Sequence, residues 1–188
     1  MSGLSDDSTL WRGALAGDGD AFGELFDRHR DRVFRHAARQ LVDKRDVEDV
    51  VAAAFFELWR RRGAVRVVDG SVLPWLLVTA TNLARNAVRS VRRYRKLLDA
   101  LPRDERLGRS VDAGLDARDG QRRVEAALRS LNRIDAVLVV LTVFEGYSIA
   151  SAAEAAGLAP GAARVRLHRA KQRLRAAPFA RTIREGTP

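Results

Sequence analysis

The sequence predicts an all-α protein of two small helical domains joined by a flexible linker, the second a helix-turn-helix. Three observations predict this. Apolar residues recur at steps of three and four along most of the chain. Aromatic residues make up only 6% of it, and much of the 46% hydrophobic content is alanine, which favours helix but fills little volume. Between 97 and 120, Pro102, Gly108, Gly114 and Gly120 recur among alternating charges, which marks a linker between domains at 10–96 and 121–177.

The composition narrows the function. With 34 basic against 24 acidic residues the chain carries +10, an excess that favours a polyanionic partner such as nucleic acid or an anionic membrane surface. It has no cysteine, and its three histidines are scattered, so no metal or other cofactor is expected. Met1 is followed by Asp6 and Asp7 rather than a basic and then apolar run, and no stretch reaches roughly eighteen apolar residues. The expectation is a cytoplasmic protein without membrane insertion. No serine-histidine-acid set, shielded carboxylate pair or phosphate-cradling glycine loop is present, so no enzyme is expected. Asp46, Glu48 and Asp49 lack the spacing of a calcium loop.

Taken in order, residues 1–9 read as frayed, and a helical pattern starts at Leu10 with Ala14 and Leu15. Gly17-Asp18-Gly19-Asp20 breaks it, with Asp20 as the expected cap of a helix carrying Phe22, Leu25, Phe26, His29, Val33 and Phe34 on one face. Asp46, with Asp49 three later, is the expected cap before Val47, Val50, Val51, Ala54, Phe55, Leu58 and Trp59. The stretch from Arg60 to Ser71 reads as an ordered loop. Pro74 opens the next helix in its first turn, where a missing N–H costs nothing. Trp75, Leu76, Val78, Thr79, Leu83 and Ala84 line its inner side. Beyond them the helix turns basic through Arg85, Arg89, Arg92, Arg93, Arg95 and Lys96, with a helical tail at Leu97 to Leu101.

In the second half, Val124, Ala127, Leu128 and Leu131 begin a helical unit and Asn132 to Asp135 reads as a turn. An apolar helix runs from Val137 to Phe144 and ends at Gly146. A short helix at Ser148–Ala156, a turn at Gly157 to Pro160 and a longer basic helix at Gly161–Leu174 form a helix-turn-helix pattern. Ala163, Leu167, Ala170 and Leu174 face inward, and Arg164, Arg166, Arg169 and Arg173 face out or flank that stripe. Such arginines fork onto guanine edges or rest on phosphates.

These stretches together resemble a bacterial RNA polymerase sigma factor of the sigma-70 family, extracytoplasmic-function (ECF) subfamily. The resemblance rests on Asp46-Val47-Glu48-Asp49-Val50-Val51 through Phe55-Phe56-Glu57-Leu58-Trp59, and on Pro74-Trp75-Leu76 through Asn82 to Asn86 with Arg89, Arg92 and Arg93. It rests also on Leu131 to Leu141, Phe144-Glu145-Gly146-Tyr147-Ser148, and Gly161 through Arg166-Leu167-His168-Arg169-Ala170-Lys171. It spans about Leu10 to Ala177 and implies core RNA polymerase, promoter DNA (duplex and non-template single strand) and an anti-sigma factor as partners.

By that resemblance, Glu48, Asp49, Phe56, Trp59 and Arg60 lie at the core-polymerase interface. The loop with Arg61, Arg62, Arg66 and Ser71 captures a base flipped from the non-template strand, and Asn82, Arg85, Asn86 and Arg89 meet the proximal promoter element. Gly161, Ala162, Arg164, Val165, Arg166, Arg169 and Arg173 read the distal element. The second domain departs from the family pattern. Asn132 stands after Leu131 where proline is usual, Ala150 and Ser151 replace an acidic pair, Ala152 replaces isoleucine, and Gly161-Ala162-Ala163-Arg164-Val165-Arg166 lacks the usual threonine and serine. The residues alone leave open a stand-alone helix-turn-helix regulator or a nonspecific polymerase- or nucleic-acid-binding adaptor.

Overall fold

The computed structural model describes residues 6–99 and 126–176. The expected linker beyond residue 99, the start at Val124 and the tail at 100–101 lie outside the described residues, as do residues 1–5. The chain is all-α. The first stretch holds α1 (Asp7–Leu15), α2 (Gly19–Ala38), α3 (Lys44–Arg60), a 3-10 turn (Arg62–Ala64) and α4 (Leu73–Asp99). The second holds α5 (126–130), α6 (Arg133–Val139) with a π turn at Val140–Phe144, α7 (Ile149–Ala156) and α8 (Pro160–Ala176).

Helix starts fall earlier than the periodicity implied. α1 opens at Asp7, not Leu10, because Asp7 and Ser8 are tied into the fold by their side chains. Asp18, not Asp20, caps α2, its carboxylate accepting from the N–H groups of Asp20 and Ala21. Asp43, not Asp46, caps α3, accepting from Arg45 N–H at 2.8 Å, while Asp46 sits in the first turn. In both helices the carboxylate one turn upstream already satisfies an orphan donor, and the apolar stripe begins only afterwards. Asn132 to Asp135 is likewise the start of α6: the Asn132 side chain accepts from Asp135 N–H at 2.9 Å. α4 runs through to Asp99, past the expected linker start at 97.

The first core lies between α1, α2, α3 and α4. Leu25, Leu58, Leu76 and Leu77 are fully buried, with Val33, Ala54, Ala80 and Ala84 beside them. Edge-on ring contacts, Phe22 to Trp59 and Phe26 to Phe55, close the α2–α3 seam. The inner side of α4 differs from the expected one. Leu76 and Ala84 are buried as expected, but Leu77, Ala80 and Thr81 fill the interior while Trp75, Val78, Thr79 and Leu83 are half-buried.

In the second region Leu138 and Leu141 are fully buried against Ala152, Ala153, Ala163, Leu167 and Ala170. This is the alanine-rich packing that the composition implied. α7 is capped by Ser148 and ends at Gly157, where φ is +70°. There Leu158 N–H bonds Ala153 C=O at 2.8 Å and Gly157 N–H bonds Glu154 C=O at 3.0 Å, a Schellman closure. That left-handed residue sets the turn that places α8. Gly157→Ala is expected to lower stability by about 1 kcal/mol, read from the urea unfolding midpoint.

Candidate polymerase and nucleic-acid interface

Glu48, Phe56 and Arg60 fall on one line of α3, at spacings of eight and four residues, and all three are exposed, with Asp49 exposed alongside. Phe56 is 63% exposed, an unusual state for a phenyl group, whereas its neighbour Phe55 is in the core. Trp59 turns away from that line, half-buried against Phe22. Arg60 is not a free cation: its guanidinium bonds Glu57, and so does that of Arg61. Hydrogen bonds from Arg60 and Arg61 hold the Glu57 carboxyl below its usual range.

The loop runs from Arg61 to Val72, one residue later than expected at each end, because Arg60 still belongs to α3. Arg62 lies over the Trp59 ring, 4.5 Å from its centroid, and donates to Trp59 C=O. Val68 and Ser71 exchange both backbone hydrogen bonds at 3.0 Å around Asp69-Gly70. Both turn residues have positive φ, +51° and +73°, the requirement of the tight hairpin turn that an Asp-Gly pair suits. Arg66 is exposed on this loop.

The hairpin is anchored by the first residues of α1, which the periodicity left outside that helix. Ser8 Oγ donates to Gly70 C=O at 3.0 Å. Ser71 Oγ donates a short hydrogen bond to Asp7 and accepts from Leu73 N–H at 3.1 Å, so one hydroxyl ties α1 to the start of α4. Asp7, buried, also receives Arg28 at 2.9 Å and His29 Nε2 at 2.7 Å. Burial would raise the Asp7 carboxyl, but hydrogen bonds from Ser71 and Arg28 and the charge of His29 outweigh it and hold it low. Burial pushes His29 down in turn, against the pull of Asp7. Asp7 and Ser8 sit in the segment read as frayed. Their one sequence signal is a helix-start residue with serine after it, ahead of Leu10.

Along α4, Asn86 and Arg89 are exposed and Asn82 and Arg85 are half-buried. Arg85 does not face solvent freely. Its guanidinium donates to Leu128 C=O and, at 2.7 Å, to Leu131 C=O, and burial lowers its pKa. Asn82 Oδ1 and Arg85 Nε find no hydrogen-bond partner among the described residues.

In the second region Gly161, Ala162, Arg164, Val165 and Arg169 are exposed at the start and along the outer face of α8. Arg166 and Arg173 are engaged instead. Arg166 Nε lies 2.9 Å from a carboxylate oxygen of the buried Asp135, its Nη2 donates to Asn132 at 3.1 Å, and Arg173 is 3.6 Å from the other Asp135 oxygen. The Nε contact is a charge pair without an aligned hydrogen bond.

The two regions meet at Glu145, which follows the π turn. A π turn widens the helix by one residue, and here Glu145 N–H closes it onto Val140 C=O at 3.1 Å. The Glu145 carboxylate, 2% exposed, receives Arg32 at 2.8 Å and His36 Nδ1 at 3.1 Å from α2, and Arg39 from its C-cap. Burial alone would raise this carboxyl, but hydrogen bonds from His36 and Arg32, with the charges of His36 and Arg39, bring it down to about 2. Its ordinary value is 4.5, so the separated regions bind more protons here than the packed ones as pH falls. The stabilisation is complete above pH 4.5 and is lost towards pH 2. The melting-temperature difference between the native chain and Glu145→Gln is therefore expected to be largest above pH 4.5 and to close at lower pH, measured by calorimetry.

No helix among the described residues is long and apolar enough to cross a membrane, and none of their acidic, histidine or cysteine side chains group as a metal site.

The all-α, two-region fold agrees with comparisons to known proteins. Residues 25–94 match the family model for sigma-70 region 2, and residues 121–174 match that for sigma-70 region 4. RNA polymerase sigma factor CarQ of Myxococcus xanthus is 36% identical over 83% of this chain and 88% of its own. The ECF RNA polymerase sigma factor SigK of Mycobacterium sp. (strain KMS) is 31% identical over 80% and 79%. Among solved structures, CnrH in complex with the cytosolic domain of CnrY is similar at 27% identity and a TM-score of 0.62, covering 90% of this chain and 95% of that one. A two-region, all-α chain with these matches belongs to the sigma-70 family of RNA polymerase sigma factors, in its ECF subfamily. Its function is that of a sigma factor: it directs core RNA polymerase in transcription initiation.

Proposed function

We propose that the first region, within 10–96, docks core polymerase and opens the proximal promoter element, and that the second, within 121–177, reads the distal element. The observation that carries this is α4 itself. It starts at a hairpin clamped on both sides and presents Asn86 and Arg89 to solvent about three and four turns beyond Trp75. A rigid loop beside exposed amide and guanidinium groups suits a strand whose base has left the stack, because extrusion costs a few kcal/mol that a shaped site recovers. Arg66 and Ser71 belong to this site through the loop, Ser71 as its anchor. The exposed line of Glu48, Asp49, Phe56 and Arg60 supports polymerase docking, with Trp59 shaping the helix from inside. Arg61 and Arg62 act as loop supports, since each is held by α3.

Reconstitution with core polymerase, followed by runoff transcription on genomic fragments, tests the assignment. Specific transcripts from promoters of stress or envelope-response genes are the expected result. Core binding without specific transcripts would instead favour a nonspecific adaptor, and no core binding a stand-alone regulator. Phe56→Ala is expected to weaken core binding about tenfold while leaving thermal stability unchanged, because an exposed aromatic anchor contributes to an interface and not to this fold. Titration of fluorescent chain with core polymerase measures it. The similarity to CnrH, which is held by the cytosolic domain of CnrY, supports an anti-sigma partner for this chain as well.

A further inference from the structure

The contact between the two regions is built like a latch. One acidic residue of the second region enters a cleft of α2 lined by Arg32, Arg35 and Arg39 and closed by Phe144. Glu145 is nearly inaccessible there, yet Arg32 and Arg39 remain 44% and 42% exposed, so the basic side of the contact is open to solvent and the acidic side is enclosed. Arg39 also lies over the Phe144 ring at 5.8 Å. His36, fully buried, bridges Glu145 to Thr81 Oγ1 of α4 at 2.9 Å, so the contact reaches the helix that carries Arg85. One turn further along α4, Arg85 is turned onto Leu128 C=O and Leu131 C=O of the second region. A buried carboxylate among three cationic or hydrogen-bonding groups from another element is costly to separate. In contrast, Arg85 pays for its place with burial and an unsatisfied Nε.

We propose that the Arg32–His36–Arg39 face of α2 is a carboxylate-binding surface whose partner is Glu145 of the same chain, and that this contact holds the free protein closed with Arg85 withheld from nucleic acid. The second half rests on the reading that α4 meets DNA; the first does not. A ligand that needs the open form binds with its affinity reduced by the open fraction, so releasing the latch strengthens DNA binding without any new contact.

The full chain contains no cysteine, so Val42→Cys and Lys171→Cys provide two exposed label sites for a spin–spin distance measurement. In the native background a single short distance is expected. Glu145→Gln, and separately the pair Arg32→Ala with Arg39→Ala, are expected to give a longer, broader distribution. The arginine pair is solvent-exposed and keeps the test decisive if Glu145→Gln fails to fold by circular dichroism. Both variants are also expected to bind a fluorescent single-stranded deoxyoligonucleotide about 3- to 10-fold more tightly. The arginine pair should do so despite losing two positive charges, which separates opening from a simple charge effect. A native distance already long, or unchanged in the folded variants, overturns the latch. Longer distances with unchanged or weaker DNA binding overturn its inhibitory role. Adding Arg89→Ala to the opened chain tests the DNA reading separately: unaltered DNA binding there contradicts that reading and leaves the distance result standing.

Discussion

Asp7→Ala is expected to destabilise the protein by about 2–4 kcal/mol and to reduce promoter opening several-fold while leaving core-polymerase binding intact. Its carboxylate is a hub of three contacts, to Arg28, His29 and Ser71. Alanine removes the acceptor and leaves those donors at a site with little access to water, the situation in which a lost partner costs more than the bond was worth. The hairpin at Asp69-Gly70 then keeps its own backbone bonds but loses its tie to α1. The α3 residues proposed to dock polymerase are not among the partners of the Asp7 carboxylate, so the two readouts separate. The pH dependence carries a sign. The folded carboxyl lies below its ordinary 3.8, so its stabilisation is complete above that pH and declines as pH falls through the lower folded value. The variant should lack that decline. Urea unfolding across pH checks the stability, and permanganate reactivity of promoter thymines checks the opening. An unchanged unfolding midpoint would falsify the hub role. Equal loss of core binding would show that the whole first region had collapsed.

Asp7 also shows where reading the sequence reached its limit. Periodicity finds helices by their apolar stripe, and the stripe of α1 begins at Leu10, while the helix begins at Asp7 because of polar contacts made far along the chain. Both caps lie upstream of the expected ones for a local reason. Asp20 and Asp46 adjoin their stripes, but Asp18 and Asp43 hold the N–H groups. Turn chemistry was easier to read, since Gly157 and Asp69-Gly70 carry residue types that a positive φ requires. The helix-turn-helix and the exposed faces of α3 and α8 were legible for a related reason: each is set by local spacing. What spacing does not contain is partnership between distant elements. Nothing near Glu145 in sequence announces Arg32, His36 and Arg39, and nothing near Arg85 announces the carbonyl groups of Leu128 and Leu131.

Partnership also divides two arginines that periodicity treats alike. Arg164 and Arg166 both lie in the first turns of α8, and the family resemblance gives both to the distal element. Arg164 is exposed, whereas Arg166 pairs with Asp135 inside the second region. Asp135 is buried and held in place by the start of α6, and a buried carboxylate is costly without a cation beside it. Arg164→Ala is therefore expected to cost about 1–3 kcal/mol of distal-element binding with unchanged stability, the loss typical of one base or phosphate contact. Arg166→Ala is expected to cost about 1–3 kcal/mol of folding stability instead, because Arg173, at 3.6 Å, is left as the neighbouring cation. Part of that loss should return when Asp135→Asn is added, since the neutral amide needs no cation. Electrophoretic mobility shifts on distal-element duplexes, paired with thermal unfolding of each variant, distinguish the two. If Arg166→Ala loses DNA binding at full stability, the guanidinium exchanges Asp135 for DNA on binding, and the ion pair belongs only to the free protein.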